Sequence, residues 1–165
     1  MIVVSNTSPL TNLAAIGQFQ LLSTLYGNLN ISEGVWSELN HGGEQYPGSR
    51  EVATGAWISR HKVKNQTLVT ALRRDLDQGE AESIALAMEL KADLILLDER
   101  EGRHIAQRFG LSMIGVVGIL LEAHLRGDVV QLENHLDALR HQAGFYISQS
   151  LYKTALQRAQ EHHNL

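Results

Sequence analysis

Five polar side chains stand where a parallel α/β sheet would present a ligand. Asn6 follows the apolar run at residues 2–4, and Asp98 and Glu99 follow the run at residues 93–97. Glu80 opens the helical segment ahead of that second run, and Glu38 lies on an earlier segment of helical period. In open parallel sheets ligands bind beyond the carboxyl ends of the strands, so these acids and one amide could converge on a single pocket. They are hard oxygen donors. With no Cys, and no i, i+4 pair among the 8 His, they suit Mg²⁺ or Mn²⁺ rather than zinc. An ion held in this way screens a phosphodiester, generates hydroxide from water and stabilises the leaving oxygen, which is metal-assisted phosphodiester hydrolysis.

Each of these residues also has a purely structural reading. Asp77-Gln-Gly-Glu80 fits a capping box with Asp in the first place, so Glu80 could simply return to a backbone N–H. Asp98 and Glu99 could cap a strand-to-helix junction, and Glu38 could be a solvated acid on an amphipathic helix. The 8 His read as surface residues. Other chemistries lack their motifs: there is no GxxxxGK[ST], no GxGxxG and no GxSxG, and a phospho-acceptor role for Asp98 lacks a strand-end Lys partner. Basic residues for a phosphate backbone occur as Arg60, Lys62 and Lys64, as Arg73-Arg74, and as Arg100, Arg103 and Arg108. Arg100 and Arg103 sit at helical spacing beside the acids, where they could hold phosphates or form a solvated face.

Apolar runs of strand length alternate with segments of helical period, which predicts βαβ units around a mostly parallel sheet buried on both faces. Strands are expected at residues 2–4, 29–31, 93–98 and 113–116, with an edge strand near 57–63. Ser8 and Pro9 are expected to start the first helix, Ser32 to cap a helix through Val35, Trp36 and Leu39, and Gly17, Gly27 and Gly110 to stop helices. A helix near 50–55, an amphipathic helix over 80–90 and one over 101–109 follow, with three more over 118–126, 132–143 and 150–161 and a connector at 144–147. Residues 41–49, rich in Gly and punctuated by Pro47, form the most loop-like stretch.

These elements fit a single domain over 1–165, with a core about 1–126 and a helical extension about 127–165. Composition agrees: 165 residues at 44% hydrophobic and 19% charged suit one compact domain. A formal charge of −4 gives no overall basic field, so any nucleic-acid contact needs a local patch. Zero Cys removes disulfides and thiol nucleophiles and fits a reducing compartment. The N-terminal apolar run is too short for a signal peptide or a membrane span, so a cytoplasmic protein is the expectation.

Four ordered motifs resemble PIN-domain proteins: Ile2-Val-Val-Ser-Asn-Thr-Ser-Pro-Leu10, Gly79-Glu-Ala-Glu-Ser-Ile-Ala-Leu-Ala87, Ala92-Asp-Leu-Ile-Leu-Leu-Asp-Glu-Arg100 and Gly115-Val-Val-Gly-Ile-Leu-Leu121. The likeness is to a prokaryotic branch related to VapC-type toxin ribonucleases. It implies an α/β fold, a three-layer α/β/α with a central, mostly parallel sheet and a helical C-terminal tail. It also implies a Mg²⁺- or Mn²⁺-dependent ribonuclease pocket. Carried over by position, the acid positions fall on Asn6, Glu38, Glu80 and Asp98, with Glu99 as a helper; the charge distribution, separately, leaves Arg73, Arg74, Arg100 and Arg103 to meet RNA phosphates. A homodimer and a small antitoxin protein are the partners that the resemblance implies, with no membrane. Asn6 departs from the pattern, which has Asp there. An amide keeps one oxygen ligand but removes a charge, so the resemblance implies a naturally attenuated or inactive nuclease, a nuclease in which Asn was introduced to make it tolerable to its host, or a degenerate PIN domain that binds RNA or protein as a regulatory module.

Overall fold

A computed structural model describes residues 1–41 and 46–163 of the chain. Five short strands, β1 (Val3–Ser5), β2 (Leu29–Ser32), β3 (Ile58–His61), β4 (Leu94–Leu96) and β5 (Met113–Ile114), form one all-parallel sheet in the order β3-β2-β1-β4-β5. All three residues of β1 are fully buried, as expected for a central parallel strand covered on both faces.

Alternation along the strands divides the core in two. Val3, Leu29, Ile31 and Leu96 face one apolar cluster, and Val4, Ile95 and Leu97 face the other. The first cluster takes side chains from α1 (Thr7–Ala15), α2 (Leu21–Tyr26), α3 (Glu33–Asn40) and α4 (Ser49–Thr54). It also takes them from α8 (Val116–Leu125), α9 (Leu132–His141) and α10 (Gln149–His163), including Leu136, Leu139, Ala155 and Ala159. The second cluster is built from α5 (Gln66–Leu72), α6 (Gln78–Leu90) and α7 (Arg100–Arg108). Helices therefore cover both faces of the sheet, a three-layer α/β/α arrangement. Among the described residues no helix is long and apolar enough to cross a membrane.

Several local expectations hold. Ser32 caps α3 by accepting the Val35 N–H at 3.1 Å, Asp77 caps α6 by accepting the Glu80 N–H at 2.8 Å, and Gly27 follows α2 at φ 72°. Others change. Ser8 does not cap α1; Asn6 holds the cap position and Ser8 lies inside the first turn, where its hydroxyl serves Asp98. Helix α6 is not simply amphipathic, because every residue from Gly79 to Ala87 is buried between the sheet and neighbouring helices, while Met88 is exposed. Helix α5 was not expected: its sequence starts on Asn65, which caps by accepting the Leu68 N–H, and its β-branched residues blur the helical period. Of the loop-like stretch 41–49, residues 42–45 lie outside the described residues.

Candidate functional site

The strand order reverses at β1, which pairs with β2 on one side and with β4 on the other. This is the topological switch point, where the carboxyl ends of two strands leave a crevice. Register brings Ser5 opposite Leu96, and the Asn6 N–H donates to the Leu96 carbonyl at 3.0 Å. Asn6 thus ends β1 level with the end of β4. Its backbone is extended (φ −78°, ψ 175°), the usual geometry of a helix N-cap, and Asn is a preferred capping residue. Yet the side chain makes no capping bond. Its Oδ1 is buried and has no hydrogen-bond partner, a condition that costs about 1–3 kcal/mol.

Asp98 stands two residues beyond β4 and is spoken for on both oxygens. Oδ1 accepts the Val116 N–H at 2.8 Å, at the first turn of α8, and Oδ2 accepts the Ser8 hydroxyl at 3.1 Å. The cap reading was half right: Asp98 caps a helix, but α8 rather than α7. Gly115 makes this approach possible, because a Cβ there would lie 2.7 Å from Asp98 Oδ1. Arg103 closes the same corner, donating from Nη1 to the Leu97 carbonyl at 2.9 Å.

On the other side of Asn6, the Thr7 hydroxyl donates to Glu38 Oε2 in a short hydrogen bond, so Glu38 is not a solvated acid. Its carboxylate lies against Gly79, where a Cβ would come within 2.5 Å of Oε1. Glu80 follows on α6, buried, with Oε2 beside Gly102. Glu99, at the N-cap of α7, is exposed, and its charge acts on both Glu80 and Asp98. The acids therefore run as an arc from Glu38 past Glu80 to Asp98, tied to the start of α1 at Thr7 and Ser8. Glu82 was passed over in the sequence. It is buried, accepts the Gly34 N–H at 3.2 Å and is bonded by the Gln78 side-chain amide. The signal was an acid inside the small, apolar run of residues 81–87.

Burial sets the electrostatics of the arc. Desolvation raises the pKa of Glu38, Glu80 and Asp98, and Glu80 moves from 4.5 to about 8, helped by its hydrogen bond with the Asp77 side chain and by the charges of Asp77 and Glu99. Hydrogen bonds from Thr7 to Glu38, and from Val116 and Ser8 to Asp98, act the other way. Among the described residues no group of three or more His, Asp or Glu is gathered tightly enough to hold a metal ion. The donor chemistry is nevertheless that of a hard divalent cation: oxygen ligands only, with a buried amide oxygen that has no hydrogen-bond partner and carboxyls whose ionisation burial opposes and positive charge would favour.

The predicted basic residues divide. Arg100 and Arg103 share α7 and line an open groove with His104 and Gln107, and Arg103 also lines a second depression together with Asp98. Arg73 and Arg74 are exposed at the end of α5 and in the turn after it, and their side chains make no hydrogen bond or ion pair among the described residues.

The raised Glu80 pKa has a measurable sign. Between pH 4.5 and about 8 the unfolded chain has lost a proton that the folded chain keeps, so stability falls as pH rises through this window. In chelator-containing buffer the thermal midpoint of the wild type is expected to decline from pH 4.5 to 8, and Glu80→Gln to flatten that decline. Added Mn²⁺ should raise the midpoint most at the alkaline end, where the proton no longer competes with the ion. A Glu80→Gln slope equal to that of the wild type would show that Glu80 titrates normally.

No curated protein matches the chain in sequence. A family model does, over residues 2–161, which takes in all five strands, the arc of acids and most of α10. With the parallel sheet, the two helical layers and the switch-point crevice already in place, this match settles membership: the chain belongs to the DUF3368 family of PIN domains, and PIN domains are generally nucleases.

Proposed function

We propose that the chain is a metal-dependent endoribonuclease of the VapC toxin type, which hydrolyses RNA phosphodiester bonds with Mg²⁺ or Mn²⁺. The observation that carries this reading is the buried, unpartnered Oδ1 of Asn6 at the end of β1, set between the start of α1, where Thr7 and Ser8 bond Glu38 and Asp98, and the end of β4 that leads to Asp98. Asn6, Glu38, Glu80 and Asp98 would hold the ion or ions, assisted by Glu99. When bound, such an ion supplies positive charge for the scissile phosphate and acidifies water at neutral pH.

The chain's own side chains do the positioning. Ser8 and the Val116 N–H fix the Asp98 carboxylate, and Thr7 fixes Glu38. Arg103, anchored by one bond to the Leu97 carbonyl, keeps further donors for a phosphate oxygen, and Arg100 lies along the same helix face. Arg73 and Arg74 would meet RNA further from the cleaved bond. A homodimer, a small antitoxin protein as inhibitor and a cytoplasmic setting belong to the same reading, by likeness to VapC toxins.

A second reading is favoured by one residue. Asn6 removes a charge from the place where the family pattern has Asp, which suits a degenerate PIN domain acting as an RNA- or protein-binding regulatory module. A paired ribonuclease assay separates the two. Asn6→Asp is expected to raise Mg²⁺- or Mn²⁺-dependent cleavage about tenfold or more, since the restored carboxylate strengthens the ion site. If folded Asn6→Asp cleaves no faster than an Asp98→Ala control, the binding-module reading replaces the nuclease.

A further inference from the structure

Tyr146 is 84% exposed, the highest value among the large hydrophobic side chains left at the described surface. Single exposed apolar residues are ordinary, but the placement of this one is not. It lines a concavity of about 430 Å³ together with Asp98, Arg103, Gly115, Phe145 and Leu151. An aromatic ring, a guanidinium and the strand-end acid thus share one depression.

The segment that carries the ring is held on both sides. The Phe145 N–H donates to the Leu139 carbonyl at 2.9 Å, and Arg140 donates to the Ile147 carbonyl at 2.9 Å. Ile147 is buried at 4% exposure, and Gly144 makes the preceding bend at φ 67°. The backbone is pinned one residue before and one residue after Tyr146, so the ring is presented to solvent by a fixed frame. A backbone already fixed on both sides lowers the entropy lost when something stacks on the ring it carries.

We infer that Tyr146 is a base-stacking residue, which receives an unpaired nucleobase of a single-stranded nucleic acid while Arg103 holds an adjoining phosphate. The inference rests on the reading of the Asp98 crevice as a nucleic-acid site. Base-on-aromatic stacking accepts any base, because each has a π-face, and it requires that the base be out of a duplex. The guanidinium in the same depression supplies the charge complement for the backbone. A paired duplex offers no free base face here, so it binds more weakly than a single strand of the same sequence.

The test is binding of a fluorescein-labelled oligouridine and of a matched abasic oligoribonucleotide, in low-salt buffer with chelator so that no cleavage intervenes. Wild type is expected to favour the base-bearing oligomer about tenfold, Tyr146→Ala to bind the two within about twofold of each other, and Tyr146→Trp to keep the preference. A matched oligodeoxyuridine tells whether the ribose contributes. Equal binding of the two oligoribonucleotides by wild type, no binding of either, or a preference that survives in Tyr146→Ala overturns the subsite. Cleavage with Mn²⁺, measured in parallel on wild type, Asn6→Asp and Asp98→Ala, reports separately on the nuclease reading. Base preference without cleavage removes the nuclease and leaves the subsite, and cleavage without base preference does the reverse.

Discussion

Asp98→Ala is expected to lower metal-dependent cleavage about a hundredfold or more while leaving the chain folded. The functional loss is large because Asp98 joins three parts of the crevice: Ser8 at the start of α1, Val116 at the start of α8 and the corner closed by Arg103. The structural loss is small because two effects oppose each other. Removing the carboxylate strips the Val116 N–H of its cap, a cost of about 1 kcal/mol, but it also removes a group whose ionisation is opposed by burial. Cleavage of a labelled RNA beside a urea titration checks both halves. A variant that cleaves as the wild type does would exclude Asp98 from the site, and one that unfolds would show that its cap outweighs its desolvation.

Leu96→Ala is expected to have the largest effect on stability, a loss of about 2–5 kcal/mol read from the urea midpoint. Leu96 is fully buried at the end of β4 and packs into the larger apolar cluster. Parallel strands on both sides fix its backbone, so the sheet cannot collapse to fill the space. The same residue accepts the Asn6 N–H, so a shift of β4 moves the amide that belongs to the proposed ion site. Cleavage should therefore fall further than the unfolded fraction alone explains. Val130→Ala, on a residue 82% exposed, serves as the contrast and should change stability by no more than about 0.5 kcal/mol.

Much of the architecture could be read from residue order because each unit signals itself locally. The run from Leu94 to Leu97 is apolar throughout since both faces of β4 are covered, and Ser32 and Asp77 announce α3 and α6 by capping chemistry that needs only the next turn. Helix α5 escaped because Thr67, Val69 and Thr70 are β-branched and weaken its period. The candidate residues on the strands were legible for the same local reason: position after a strand is a sequence property. What they bond to was not. Asp98 finds Ser8 ninety positions away and Val116 eighteen away, and Glu38 finds Thr7 across thirty-one. Such pairings depend on strand order, which the sequence leaves open. Burial explains the remainder. Glu82 and Glu80 look like ordinary helix acids until α6 is seen to be covered along most of its length.

The carboxylates of the arc each rest against a residue with no side chain: Glu38 on Gly79, Glu80 on Gly102, Asp98 on Gly115, and Glu82 on Gly34 beyond it. A methyl group at Gly79 would meet the far end of Glu38 first, so an alanine there should be cheap for the fold and severe for whatever the acid does, whereas at Gly115 it would press on both the held Asp98 carboxylate and Arg103 Nη1 and cost the fold more. A genetic screen for loss of the proposed nuclease activity would then return two kinds of lesion. One is the loss of an acid. The other is the gain of a single carbon at a glycine that carries no chemistry at all, and a ranking of residues by reactive group would never nominate it.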